Sequence, residues 1–396
     1  MKVGIWLNDD YSPQEGGGYS YYDKLVKAID GYVFAPEVEV VFVTTKPVIG
    51  LKKGIVNIGT ISWLGKTLKK LVERLPHMHT KYKWLEYAFK QPNKLLLQAG
   101  VQVLYYPIQA QYHIPGFPFI ATNWDIGHLT TYPFPEMISG GGFSGRELFY
   151  RQHLPQALCI FAESEAGKKE LVQYLGIAEK KVKVVPLFAG NSTSVNSEQQ
   201  QHILSRLTLA SQRYFFYPAQ FWAHKNHYNL LKAFQLLLQE YSDLKLVFTG
   251  SDKGNLSYIK KVADNLKLND RVLFLGFVSN ETLFTLYSNA LALVMPSFLG
   301  PTNMPLLEAQ ELGCPVICSN MEGHKEMLQE GALYFRPESI KEMAMQMKTV
   351  LDPVQRQRLL EKSNQVKISS IFNMEKAVQE IEKHLLDLMS VRNTWL

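Results

Sequence analysis

The sequence predicts an α/β protein of two doubly wound domains, each a parallel sheet clad with helices, facing one another across a cleft. Three observations carry that prediction. Short apolar runs rich in β-branched and aromatic residues alternate with helical patterns along the chain, which is the order of βαβ units. The runs are nearly continuous and do not alternate with polar residues, as expected of strands buried on both faces. There are about twelve of them, too many for one compact sheet of this type, and the polar stretch NSTSVNSEQQQH separates them into two sets.

The first set is VGIWL (3–7), VEVVFV (38–43), VQVLYY (101–106), PFIAT (118–122), CIFA (159–162) and VKVV (182–185). The second is YFFYP (214–218), LKLVFTG (244–250), RVLFLG (271–276), ALALVM (290–295), PVIC (315–318) and ALYF (332–335). The predicted organisation is a Rossmann-like domain over 1–190, a linker over 191–204, a second Rossmann-like domain over 205–370, and a C-terminal helix over 371–396 that crosses back to the first domain. The amphipathic pattern NMEKAVQEIEKHLLDLM carries that last helix.

Composition sets bounds. The chain has 396 residues, 46% hydrophobic and 20% charged, enough for two full cores. A net charge of +6 accommodates an acidic partner without naming one. No recognisable nucleic-acid module accompanies it, so nucleic acid is not an expected partner. MKVGIWLNDD turns acidic after one short apolar strand, and neither a cleaved leader nor a transmembrane span is expected. Cys159, Cys314 and Cys318 each sit in apolar surroundings and read as reduced, buried thiols of a cytoplasmic protein. Cys314 and Cys318 lack the second pair that a structural metal site requires.

Ligands of open α/β sheets bind at the carboxyl ends of the strands, and that rule selects the segments to inspect. After the first strand, Gly16-Gly17-Gly18 leads into a helix, where backbone N–H groups can meet a phosphate. After PFIAT come Asp125 and His128. His128 either donates to a sugar hydroxyl or a developing oxyanion, or settles a local turn. After YFFYP, Lys225 opens a helix near Gln220, Trp222 and His224, a suitable clamp for a diphosphate. Gly250 begins a short polar turn, GSDKGN, that shapes the pocket wall. After ALALVM the loop Ser297 to Asn303 turns sharply into a helix that starts at Met304-Pro305, so the N–H groups of Thr302, Asn303 and Met304 face the cleft. Glu308, one turn in, can accept two hydrogen bonds from a vicinal diol such as a ribose. The helix closes at Gly313.

Taken together, YPAQFWAHKNH, VLFLGFVSNETLFTLYSNA and PSFLGPTNMPLLEAQELGCPVI resemble the nucleotide-sugar domain of retaining family 4 (group 1) glycosyltransferases with the GT-B fold. The resemblance is strong over roughly 210–350 and looser in the first half. It implies that Lys225 holds the donor diphosphate and Glu308 the ribose. It also implies that Gln220, Gly250, Thr302, Asn303 and Met304 line the donor site, with Gly17 and Gly18 near the transferred sugar. Three positions depart from the family. The first of two glutamates is Gly300, an arginine before the clamp is Gln220, and a histidine is Trp124, so His128 or Asp125 takes its role. The FLGPTN loop resembles a variant associated with bacterial surface polysaccharides and lipopolysaccharide.

What the resemblance implies is transfer of a hexose from a nucleotide-diphosphate sugar to a glycan or lipid-linked acceptor, with retention. GDP-mannose is the first donor to consider, ahead of UDP- or dTDP-sugars. No metal or other cofactor is expected, since Asp9-Asp10 lacks DxD spacing. The departing phosphate itself can take the acceptor's proton, and the catalytic candidates are Asp125, His128 and Lys225. Base recognition is expected near Phe277 and Val278. The basic, aromatic-rich segment 62–97 reads either as a docking surface for the inner face of the cytoplasmic membrane or as a solvated helix pair with core aromatics. The alternatives are a non-catalytic sugar-nucleotide-binding subunit and a sugar-nucleotide epimerase on the same fold.

Overall fold

The computed structural model describes residues 1–8, 11, 17–59, 92–109, 113–114, 116–139, 142–190 and 193–395. The continuous apolar runs become two parallel sheets. The first has seven strands: β1 (Lys2–Trp6), β2 (Glu39–Thr44), β3 (Ile55–Asn57), β4 (Val103–Tyr105), β5 (Phe119–Asn123), β6 (Cys159–Ala162) and β7 (Val182–Val184). The second has six: β8 (Tyr214–Pro218), β9 (Lys245–Thr249), β10 (Val272–Phe274), β11 (Ala292–Met295), β12 (Val316–Ser319) and β13 (Ala332–Phe335). Val103–Tyr105, Phe119–Asn123, Cys159–Ala162 and Ala292–Met295 are buried at every residue, which explains why their sequences show no alternation.

The strand β3 is additional to the predicted set. It has three residues, lies at the sheet edge and is partly exposed, so it carries no continuous apolar run.

The order is β3-β2-β1-β4-β5-β6-β7 in the first sheet and β10-β9-β8-β11-β12-β13 in the second. The chain therefore reverses direction across the sheet between β1 and β4, and again between β8 and β11. Those are the points where strand ends diverge and a ligand crevice opens. The polar stretch 191–204 contains the first turns of a helix, Ser197–Arg206, whose N-cap Asn196 accepts from the Gln199 N–H. The helix Met374–Arg392 returns to the first sheet's helices, where Glu382 accepts from the Tyr32 hydroxyl at 2.8 Å and from the Ala35 N–H.

Several contacts join the halves. Both carboxylate oxygens of Glu326 accept N–H groups, of Glu165 and Ala166, at 2.9 Å, so a second-half side chain caps the helix Glu165–Leu175. Glu136 accepts from the His224 N–H at 2.9 Å, and the Thr131 hydroxyl donates to the Phe298 carbonyl at 3.2 Å. The three cysteines are free and buried. No helix among the described residues is long and apolar enough to cross a membrane. The expected docking segment 62–97 lies, over 62–91, outside the described residues.

Candidate active site

A cleft of about 370 Å³ opens at the second reversal point. Gln220 and Gly250 line it from the ends of β8 and β9, Met304 and Glu308 from the helix Met304–Glu311, and Gly17 from the first half. Phe277 and Val278, the residues expected to meet a base, line it too, and Phe277 is 59% exposed. A larger groove of about 600 Å³ lies elsewhere, between the β7 region and the C-terminal helix, and holds none of the predicted residues.

Glycine geometry shapes the cleft at two points. Gly250 has φ +137°, and a Cβ there would sit 2.3 Å from the Ala219 carbonyl oxygen, so only glycine lets these two backbones approach. Gly300 has φ +105°, and its Cβ would meet the Thr302 carbonyl oxygen at 2.8 Å and Asn303 Nδ2 at 3.0 Å. A glutamate cannot be restored at Gly300 without moving the loop. The departure from the family pattern is therefore a rebuilt turn, with Asn303 folded into the space.

The helix after that loop begins at Met304, and its N-cap Asn303 makes no side-chain capping bond. Asn303 Oδ1 instead accepts from Lys225 Nζ at 3.1 Å. The positive end of the helix and the lysine thus point to one place, with first-turn N–H groups free of a side-chain cap. Lys225 is half-buried. Its burial holds the ammonium down to about 8, while Asp125 and Glu136 across the domain boundary pull it up. It remains charged at neutral pH and has shed part of its hydration, which suits it to meet phosphate oxygens. The Tyr217 hydroxyl donates to the Lys225 carbonyl at 2.8 Å, and Asn226 binds the Pro296 and Pro337 carbonyls at 3.0 and 2.8 Å, so the backbone around Lys225 is fixed.

Glu308 is buried, and its Oε2 accepts from the Tyr287 hydroxyl at 2.8 Å. One edge of the carboxylate is thereby oriented. Gln220 Oε1 accepts from Trp222 Nε1 at 3.0 Å, so this side chain is turned partly onto its own turn.

The first-half candidates lie in a different setting. Gly18 is walled by Tyr11 and Trp124. Asp125 is half-exposed, 3.6 Å from Arg146 Nη1, and its Oδ1 accepts from the Gly127 N–H at 2.9 Å. The His128 side chain is buried, stacked on Tyr150 at 5.1 Å, with Nε2 2.9 Å from Glu147 Oε1. Burial lowers its pKa despite that carboxylate. Thus Gln220, Gly250, Met304 and Glu308 gather around one cleft with Gly17. Lys225, Thr302 and Asn303 stand just behind it, and His128 packs within the first half.

Sequence reasoning did not single out Tyr217, Tyr287, Glu163 or His324. The tyrosines sit in apolar stretches that read as core, and His324 stands in a polar stretch, MEGHKEM, that carries no motif. Glu163 ends the apolar run of β6, is buried beside Thr302, and is raised by burial to about 8. Among the described residues no group of three or more His, Cys, Asp or Glu side chains is placed to hold a metal ion.

Residues 200–366 match the family model "Glycosyl transferases group 1". Over 191 residues the chain is 25% identical to O-antigen chain mannosyltransferase B of Escherichia coli, covering 48% of this chain and 50% of that protein. It is 27% identical over 191 residues to O-antigen chain mannosyltransferase RfbU of Salmonella typhimurium, with the same coverage. The matched stretch spans about half the length of these curated relatives. Among solved structures, Anabaena HepE in complex with UDP-glucose superposes with a TM-score of 0.69 at 17% identity, over 98% of this chain and 100% of that one. That likeness establishes the fold. The match to the group 1 glycosyl transferase model thus lies within the second sheet's half, and the two parallel-sheet domains have the GT-B fold.

Proposed function

We propose that this chain is a retaining, metal-independent family 4 hexosyltransferase of the FLGPTN-loop type. It moves mannose from GDP-mannose to a glycan or lipid-linked saccharide during surface polysaccharide assembly, at the inner face of the cytoplasmic membrane. The observation that carries this reading is the convergence of Gln220, Gly250, Met304 and Glu308 on one cleft, with Lys225 and an uncapped helix start behind it. The group 1 domain and the relatives named mannosyltransferases support the reaction class and the sugar.

In this reading Lys225 and the N–H groups of Asn303 and Met304 stabilise the charge that builds on the departing diphosphate, while the Thr302 N–H is held by Glu163. Glu308, steadied by Tyr287, accepts from the ribose hydroxyls, and the base lies against Phe277 and Val278. Gly17 and Gly18 bring the start of the helix Gly17–Gly31 toward the sugar. Asp125 faces the clamp from the acceptor side, near enough to raise the Lys225 pKa. The acceptor hydroxyl approaches on the face of the leaving phosphate, which takes its proton. Closure of the two halves over the donor excludes water during transfer.

The test is incubation with GDP-mannose, UDP-glucose and dTDP-glucose in EDTA, with lipid-linked saccharides extracted from a bacterial membrane as acceptors. The expected result is a product one hexose heavier from GDP-mannose, with the anomeric configuration of the donor by proton NMR. Tight nucleotide binding without transfer to any acceptor would support a binding subunit instead. Conversion of free sugar nucleotide with no acceptor would support an epimerase.

A further inference from the structure

Asn303 is buried, and both ends of its amide are engaged. Its Oδ1 accepts from Lys225 Nζ at 3.1 Å, while its Nδ2 lies 2.9 Å from His324 Nε2 and 3.4 Å from the Leu299 carbonyl. His324 is fully buried, and its Nδ1 lies 2.8 Å from the Ser319 carbonyl.

These contacts fix the protons. The Ser319 carbonyl can only accept, so Nδ1 carries the hydrogen. Burial pushes the imidazole down to about 4, so at neutral pH the ring is neutral and Nε2 is a bare lone pair. A lone pair there requires the NH₂ end of Asn303. Turned end for end, the amide would set its oxygen against that lone pair and its NH₂ against the Lys225 ammonium, two mismatches in a buried place.

We infer that His324 is a positioning residue of the donor site, locking the Asn303 amide so that its oxygen holds the Lys225 ammonium at the start of the helix Met304–Glu311. This rests on the reading of Lys225 as the diphosphate clamp. An ammonium has three donors, and a bond to Asn303 leaves others for phosphate oxygens. The rebuilt turn at Gly300 therefore keeps a side-chain acceptor beside the clamp, supplied by Asn303 and set by His324.

Two measurements on the full chain test this. The first is long-range proton–nitrogen NMR of protein labelled with ¹⁵N-histidine, with the His324 signals assigned by their loss in His324→Gln. The expected pattern is a protonated Nδ1 and a bare Nε2. Asn303→Asp should convert the ring to the doubly protonated form, because an oxygen then faces Nε2. An Nε2–H tautomer in the wild type, or a ring unchanged by Asn303→Asp, would overturn the inference.

The second is the affinity of nucleoside mono- and diphosphates. His324→Leu should weaken the diphosphate about tenfold, the worth of one hydrogen bond to a charged group, and the monophosphate less than about twofold. His324→Gln, which can accept from Asn303 and donate to Ser319, should restore most of the loss. Asn303→Ala should add little to His324→Leu. Fully additive losses, or equal losses for both nucleotides, would mean that His324 acts only on the fold. If the wild type binds no nucleoside diphosphate, the proposed function fails, and the NMR pattern still decides the contact.

Discussion

At the ends of β8 and β11 the polar groups are arranged around an opening, whereas at the ends of β5 and β6 they are turned on one another. In the second half, backbone devices make the space. Gly250 and Gly300 let chains approach, Asn226 ties two carbonyls, and Asn303 leaves the helix start uncapped. In the first half, His128 pairs with Glu147, Asp125 with Arg146, and the Asp125 carbonyl gathers Gln109, Asn123 and Tyr150. A polar residue at a strand end is thus a poor guide to a binding role by itself. What distinguishes the second half is that its polar groups, paired as they are, border a cleft shaped by neighbouring glycines.

The comparison predicts unequal responses to substitution. The largest is at the clamp: Lys225→Ala should weaken a nucleoside diphosphate about 10- to 100-fold, measured by calorimetry. Its pH dependence follows from a pKa near 8 set by burial. The lysine is charged below that value, so affinity should hold at pH 7 and fall as pH rises through 8. Lys225→Arg should flatten the decline, because guanidinium stays charged. A decline unchanged in Lys225→Arg would assign the titration to another group.

Next comes Glu308→Ala, expected to cost about tenfold for a ribonucleotide and much less for its 2′-deoxy analogue. Equal losses for both would remove the ribose from the Glu308 contact.

His128→Ala should reverse the pattern. Losing a buried, stacked, hydrogen-bonded ring should cost about 2–3 kcal/mol of stability in denaturant unfolding. Nucleotide affinity should change less than about twofold. A large affinity loss with unchanged stability would move His128 from packing into the site.

The smallest effect concerns Glu163. Its folded pKa, raised by burial to about 8, lies above its unfolded value. Its contribution is therefore fully present below the unfolded value and is lost as pH rises through 8, by at most about 1.4 kcal/mol per pH unit. Glu163→Gln should lose less stability than the wild type as pH rises from 5 to 8. Parallel pH profiles would show that Glu163 is already ionised in the folded chain.

The fold was legible wherever burial forces hydrophobic continuity. YFFYP and ALYF became β8 and β13 residue for residue, and CIFA became β6. The edge strand β3 escaped because an exposed three-residue strand needs no such run. In the site, Glu308, Gln220, Met304 and the glycines could be read because they stand in short polar breaks between apolar runs. Tyr287, Tyr217 and His324 could not. Their rings belong to the core and only one polar atom of each reaches a site residue, a detail of three-dimensional placement. The Glu326 cap joins residues 160 positions or more apart, so no local pattern announces it.

The central claim is that the cleft between Gln220, Gly250, Met304 and Glu308 holds a nucleotide-diphosphate sugar. Calorimetric titration of the full chain with GDP, UDP and dTDP in EDTA tests it most directly. Selective binding of GDP, weakened most in Lys225→Ala and less in Glu308→Ala, is the predicted result. Absence of binding by all three nucleotides, or binding indifferent to both substitutions, would contradict it.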